Sequence, residues 1–294
     1  MSDHSDLLTN FQPAHEFFVG IDSDGCVFDT MEIKHKECFT PQFIKHFRLQ
    51  AVSRYAREAW EFVNLYSKTR GINRFPALSN TLNLLATRHE VQARGVKPLS
   101  TEALDAWIAR EPKLTNRTLE QAVTDGAVEL APVLAWSQAV NAAIEDMVFG
   151  VPPFPLVREC LQRLTALADA MVVSQTPTPA LEREWEEHGI HTYVRLIAGQ
   201  ELGSKTDHLR LAAGGKYAPK HVLMIGDAPG DFKAARANHA LFFPVVPGRE
   251  EASWQRFYDE GLERFLKLQF AGEYEEALLQ EFNASLPEHP HWQR

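Results

Sequence analysis

The chain has 294 residues, 45% of them hydrophobic and 23% charged, which is enough to bury a core in one large domain or two modest ones. A net charge of −9, from 39 acidic against 30 basic residues, repels a nucleic-acid backbone, and no apolar run reaches the roughly 18 residues of a membrane span. Three scattered cysteines, Cys26, Cys38 and Cys160, give no disulfide framework, and an opening with Asp3, His4 and Asp6 lacks a signal-peptide pattern, so the expectation is a cytoplasmic protein binding neither nucleic acid nor membrane.

Residues 17–21, FFVGI, read as a short buried strand. The next good strand candidate, 170–173, begins about 150 residues later, far beyond the dozen or so residues of an ordinary crossover. The interval carries helical patterning at 51–66, 78–89, 101–109 and 130–147, with Ser100 and Thr101 as candidate caps. An inserted all-α domain at 30–150 is therefore predicted. Gly150, followed by Pro152, Pro153 and Pro155, cannot continue a helix and marks its exit. Beyond it, apolar runs at 170–173, 221–225 and 241–246, and a weaker one at 192–198, alternate with helical stretches such as 157–167 and 181–188. That alternation predicts an α/β core, a doubly wound parallel sheet built from 14–29 and 151–294. Two further helices are expected at 251–268 and 274–284, and His289-Pro290-His291 reads as a loose tail in preference to a metal site.

The strongest chemical signal is Ile21-Asp22-Ser23-Asp24-Gly25, followed by Asp29. Two carboxylates leave the C-terminal end of a buried strand, where ligands bind in open α/β sheets. Two such neighbours do not both ionise comfortably without a cation or a proton, so one can serve as nucleophile while the other holds a proton as general acid. The alternative is a polar turn. Gly226-Asp227-Ala228-Pro229-Gly230-Asp231 repeats the arrangement after the apolar run 221–225, and two strands of one sheet then bring hard oxygen ligands to a common site suited to Mg²⁺. The alternative here, an aspartate at a helix start, stays open for Asp231 more than for Asp227. Ser174, closing the strand at 170–173, supplies a hydroxyl for a phosphoryl oxygen, and Lys205 supplies a cation for the phosphate and the ionised nucleophile. Alone, each is better explained as a turn serine and a solvated lysine, and it is the place of Lys205 in the chain, between Ser174 and the second pair of aspartates, that raises it.

Taken in order, the DxDG segment at Asp22, Ser174, Lys205 and the GDxxxD segment at Asp227 resemble the four motifs of the haloacid-dehalogenase superfamily. The resemblance implies a Rossmann-like core with a helical cap inserted between the first and second motifs. It further implies that Asp22 attacks phosphorus to form an aspartyl-phosphate. Asp24 protonates the leaving oxygen and then deprotonates the hydrolytic water. Mg²⁺ is held by Asp22, the Asp24 carbonyl and Asp227, with Asp231 directly or through water, while Ser174 and Lys205 hold the transferring group. An Asp at position 24 points to the phosphatase and phosphomutase branch, since enzymes cleaving carbon–halogen or carbon–phosphorus bonds have no oxyanion to protonate. Two departures from the pattern are Cys26, where Thr is common, and Gln175, where Asn is frequent; both bear on substrate fit, and neither removes a catalytic group.

The expected activity is Mg²⁺-dependent hydrolysis of a small-molecule phosphate monoester, with the helical domain choosing the substrate. Lys68, Arg70 and Arg74 form a cationic cluster around Gly71 that would contact the leaving group, against the alternative of a solvated helix end. Lys34, His35 and Lys36 are better read as a solvated helix near the hinge. Two other functions fit the same motifs: a sugar-phosphate phosphomutase, and a non-catalytic binding protein on the same scaffold.

Overall fold

The computed structural model describes residues 5–293; Asp3 and His4, used above, lie outside the described residues, as does Arg294. The chain divides into two compact units, Met1–Thr30 with Phe149–Leu286, and Met31–Val148 with Pro287–Arg294.

The first unit is built on a parallel sheet of five strands among the described residues: β1 (Phe17–Ile21), β2 (Ala168–Val173), β3 (Leu196–Ala198), β4 (Val222–Gly226) and β5 (Leu241–Pro244), in the order β3-β2-β1-β4-β5. Strand alternation explains why both faces must be covered. Phe17, Val19 and Ile21 point to one face with Ala170, Val172, Leu223, Ile225 and Phe243, and meet the helices Val157–Thr165 and Thr178–Glu187 and the segment around Trp254 and Phe265. Phe18, Met171, Val173, Met224 and Phe242 point to the other, against the helices Lys205–Ala213 and Pro229–Ala237 and against Phe282. Each such Val, Ile or Phe contributes about 1.5–3 kcal/mol when fully buried. The chain winds from β1 outward to β2 and β3, then crosses back to β4 and β5, so the winding reverses between β1 and β4. Open sheets of this kind bind ligands at such a point. The fold is a Rossmann-like doubly wound α/β sheet together with a helical unit.

Strand β3 begins at Leu196, because His191–Tyr193 is spent on a 3₁₀ turn. The helix predicted over 251–268 runs as Glu250–Arg256, a π turn at Phe257–Gly261, and Leu262–Leu266.

The helical unit packs Trp60, Trp107 and Trp136 with Phe39, Phe43 and Phe75 around the helices Ser53–Asn64, Arg74–Thr87, Glu102–Arg110 and Ala131–Met147. Two further stretches go beyond the sequence reading, the first of them extending the helix expected at Lys34, His35 and Lys36. One is the segment Thr30–Ile33, Lys34–Phe39 and Thr40–His46, whose middle is a π turn that breaks the 3.6-residue period. The other is Asn116–Thr124, capped reciprocally by Thr115 and Thr118. The chain's end is not a loose tail. Trp292 packs edge-on to Phe62, with ring centroids 5.8 Å apart, and lies 4.3 Å over Arg88, placing residues 287–293 with the helical unit. No helix among the described residues is long and apolar enough to cross a membrane.

Candidate active site

Strand β1 hands over to Asp22 and β4 to Asp227. The strands are neighbours, with Ile21 opposite Ile225, and the Asp22 N–H donates to the Ile225 carbonyl at 2.9 Å, so both aspartates leave the sheet at one place. Asp231 joins them from the first turn of Pro229–Ala237. Its approach needs Gly226: a Cβ there would lie 2.5 Å from the Cβ and Cγ of Asp231. One carboxylate oxygen from each of Asp22, Asp227 and Asp231 lies within 4.8 Å of the others, and all three residues are buried.

Lys205 enters this acidic group from the start of Lys205–Ala213, a helix fixed by a capping box between Ser204 and Asp207. Its Nζ lies 2.7 Å from Asp22 Oδ2 and 2.6 Å from Asp231 Oδ1. Asp231 Oδ2 accepts from the Ala228 N–H at 3.0 Å, so both of its oxygens are engaged. Burial, and then the neighbouring Asp231, push the Asp22 carboxyl well above the usual carboxylate range; Lys205 opposes this and Asp227 adds to it. Burial disfavours the Lys205 ammonium, but the Asp22 and Asp231 charges outweigh it and raise its pKa. One ammonium among three buried carboxylates leaves a group of hard oxygen donors short of positive charge. That donor chemistry fits a divalent cation such as Mg²⁺.

Ser174 follows β2 at the same end of the sheet. It is buried, its N–H donates to the Ala198 carbonyl at 3.0 Å, and its Oγ accepts from the Thr176 N–H at 3.2 Å. Gln175 Nε2 donates to the carbonyls of Ser174 and, at 3.0 Å, of Gly203, joining this loop to the one before Lys205. Asp24 is half-buried and accepts hydrogen bonds from two hydroxyls, Thr30 Oγ1 on one oxygen and Thr176 Oγ1, at 2.7 Å, on the other. Neither threonine was singled out in the sequence. Thr176 had a signal, lying two residues past Ser174 in a strand-end loop, whereas Thr30 begins a segment whose helical character the pattern hid. Cys26 is fully buried, and burial, followed by the charges of Asp227, Asp22 and Asp231, raises its thiol well above the ordinary value, as for a space-filling residue. Asp29 is exposed.

The cationic cluster lies in the helical unit. Arg70 is 2% exposed and donates to the Leu65 carbonyl at 2.9 Å. Arg74 donates to the Ser137 carbonyl and hydroxyl, at 3.2 and 3.0 Å, and to Asn141 Oδ1 at 2.7 Å; burial lowers its pKa to about 10. Lys68 is half-buried, with its N–H on the Pro287 carbonyl at 3.3 Å. His35 accepts from Trp60 Nε1 at 3.1 Å and stacks on Phe39, while Lys36 pairs with Glu32, so this segment is tied into the helical unit and is not simply solvated.

No family model and no curated protein matches the chain. Solved structures do. A hydrolase of the haloacid dehalogenase-like family from Streptococcus pneumoniae is 15% identical, with a TM-score of 0.51 over 86% of this chain and 98% of the other. A proposed phosphoglycolate phosphatase from Lactobacillus delbrueckii subsp. bulgaricus is 15% identical over the same shares, with a TM-score of 0.48. A proposed beta-phosphoglucomutase from Bacteroides vulgatus is 14% identical, with a TM-score of 0.46 over 91% of this chain and 96% of that one. Sheet order, motif order and the likeness to the streptococcal protein agree: this chain has the haloacid dehalogenase-like fold.

Proposed function

We propose that the protein is a phosphatase that hydrolyses a small phosphate monoester through Asp22. The observation carrying this reading is the meeting of Asp22, Asp227 and Asp231 within 4.8 Å, with Lys205 bonded to two of them. Beside Lys205, and with a cation on the carboxylate group, Asp22 would be ionised and serve as a nucleophile where an anionic phosphoryl group would be drawn. In the first step an Asp22 oxygen bonds to phosphorus as the bond to the leaving oxygen breaks, and Asp24 gives that oxygen its proton. In the second step water attacks the same phosphorus, Asp24 takes the water proton, and the Asp22–phosphorus bond breaks to release inorganic phosphate. Lys205 offsets the charge on the transferring oxygens and Ser174 donates its hydroxyl to one of them. Asp22, Asp227 and the Asp24 carbonyl would hold Mg²⁺, with Asp231 directly or through water; the ion would supply charge neutralisation for the phosphoryl group. The helical unit, 30–150 in the sequence reading, would select the leaving group for the core formed by 14–29 and 151–294.

The test is a screen of phosphorylated metabolites with Mg²⁺, with EDTA, and with Asp22→Asn. Phosphate release should require the metal and fall at least about a thousandfold in the variant, as for removal of a nucleophile. Turnover that survives in Asp22→Asn would mean another residue attacks. Conversion of a sugar phosphate to its isomer without stoichiometric phosphate release would instead identify a mutase.

A further inference from the structure

We infer that two buried tryptophans, Trp185 and Trp254, are positioning residues for the loop carrying Asp22 and Asp24, with Trp185 acting on Asp22 through Ser23. The inference rests on the reading of Asp22 as nucleophile and deepens it.

After β1 the chain reverses within a few residues, helped by Gly25 at φ +75°. Ser23 is the hub of this turn. Its carbonyl accepts from the N–H groups of Cys26, Val27 and Phe28 at 3.3, 2.8 and 3.2 Å, and its own N–H donates to Asp22 Oδ1 at 2.8 Å. Any rotation of the Ser23 peptide would therefore carry the Asp22 carboxylate with it. The Ser23 side chain is fully buried, and its hydroxyl accepts from Trp185 Nε1 at 3.0 Å while donating to Glu184 Oε2 at 3.3 Å. At the far end of the turn, Trp254 Nε1 donates to the Cys26 carbonyl at 2.7 Å. The two donors come from separate helices, Thr178–Glu187 and Glu250–Arg256, on the same face of the sheet.

An indole N–H is one donor on a rigid ring with only two rotatable bonds, so a packed ring fixes its acceptor in space. Packing alone does not explain these contacts. In the helical unit Trp60 Nε1 meets His35, but the Nε1 atoms of the equally buried Trp107 and Trp136 have no partner among the described residues. The two indoles that meet the nucleophile loop spend their N–H groups on it, where a shift of about 1 Å can cost about a hundredfold in rate.

The experiment compares Trp185→Phe, Ser23→Ala, their double variant, Trp254→Phe and the control Trp107→Phe in the full-length chain. It measures kcat and KM on para-nitrophenyl phosphate with Mg²⁺, thermal midpoints, and the ¹⁵N–¹H indole resonances. Trp185→Phe, Ser23→Ala and Trp254→Phe should each lower kcat about tenfold with KM within about twofold, and the Trp185/Ser23 double variant should be no slower than either single. Trp107→Phe should lose stability without losing kcat. The Trp185 indole resonance should move in Ser23→Ala. Multiplying losses in the double variant, or midpoints that fall while kcat holds, would overturn the inference. So would a Trp185 resonance indifferent to Ser23, and this readout stands even if the wild-type protein hydrolyses no phosphoester, a result that would sink the phosphatase reading alone.

Discussion

The two ends of the central sheet treat a buried aspartate in opposite ways. At the carboxyl end, Asp22 shares its surroundings with Asp227 and Asp231 and has Lys205 as its close cation, and its carboxyl is pushed well up. Toward the amino end, Asp169 in β2 is fully buried yet surrounded by donors. The N–H groups of Ala14 and His15 lie at 2.9 and 3.0 Å, the Tyr217 hydroxyl at 2.7 Å, Arg195 Nη1 at 2.5 Å, and His15 Nδ1 at 3.2 Å. Burial would raise the Asp169 carboxyl, but hydrogen bonds from Tyr217 and the backbone outweigh it and hold the group below its ordinary value. Burial raises both carboxyls; the donors around Asp169 outweigh that penalty, and those around Asp22 do not. The satisfied end ties the chain's early residues to the sheet. The unsatisfied end keeps a charge deficit that a cation can fill, as expected of sites that hold strain for function.

Removing Lys205 probes the unsatisfied end most severely. In Lys205→Met, Asp22 and Asp231 lose their shared ammonium while the stem volume is kept. Phosphate release should fall about a hundred- to a thousandfold, the range for loss of one charge-stabilising donor. The thermal midpoint should fall in EDTA and recover in part with added Mg²⁺, because a second cation then answers the same carboxylates. A variant as stable as the wild type in EDTA would break the comparison, for the carboxylates would then be indifferent to their counter-charge.

Asp169→Asn tests the satisfied end. The amide keeps one acceptor oxygen and faces Arg195 and Tyr217 without a charge, so stability should drop by about 2 kcal/mol, the worth of a hydrogen bond to a charged group. Folded protein should keep kcat within about twofold, since no step of the proposed reaction uses this end. Denaturant midpoints read the first quantity and steady-state kinetics the second.

What was legible in the sequence follows the same division. Phe17–Ile21 and the run before Asp227 are continuous apolar stretches ending in acid, the pattern read as buried parallel strands with a site at their ends, and Asp22, Asp227, Asp231 and Lys205 do come together. Residues whose role depends on a partner distant in sequence stayed hidden. Trp185 reaches Ser23 across 162 positions and Thr176 reaches Asp24 across 152, and no local spacing encodes either contact. Asp169 lies one residue before the apolar run at 170–173, in a strand that starts earlier than the pattern suggests, and its donors come from three other segments. The π turn at Lys34–Phe39 breaks the 3.6-residue period, so of the helical unit's first segment only a short helix at 34–36 was read. The cationic trio failed to separate function from structure because Arg70 and Arg74 bond within their own unit, and a sequence does not distinguish a guanidinium that holds a fold from one that holds a substrate.

The smallest expected effect gives the finest test of the comparison, namely the acid side of the stability curve. The Asp169 carboxyl has a lower pKa folded than its ordinary value of 3.8, so the unfolded chain binds its proton first as pH falls. Its contribution is complete above about pH 5, declines as the pH drops through about 4, and is lost once the folded carboxyl is protonated as well. Wild type should therefore lose stability between about pH 5 and 3 faster than Asp169→Asn, which has no proton to take up there, and the two midpoints should converge at the acid end. Tyr217 stays protonated over this range, so the difference between the two curves isolates one carboxyl even though other acids titrate alongside it. Parallel curves would mean that the donors around Asp169 do no more for its ionised form than water does, and the contrast between the two ends of the sheet would then rest on the carboxylate cluster alone.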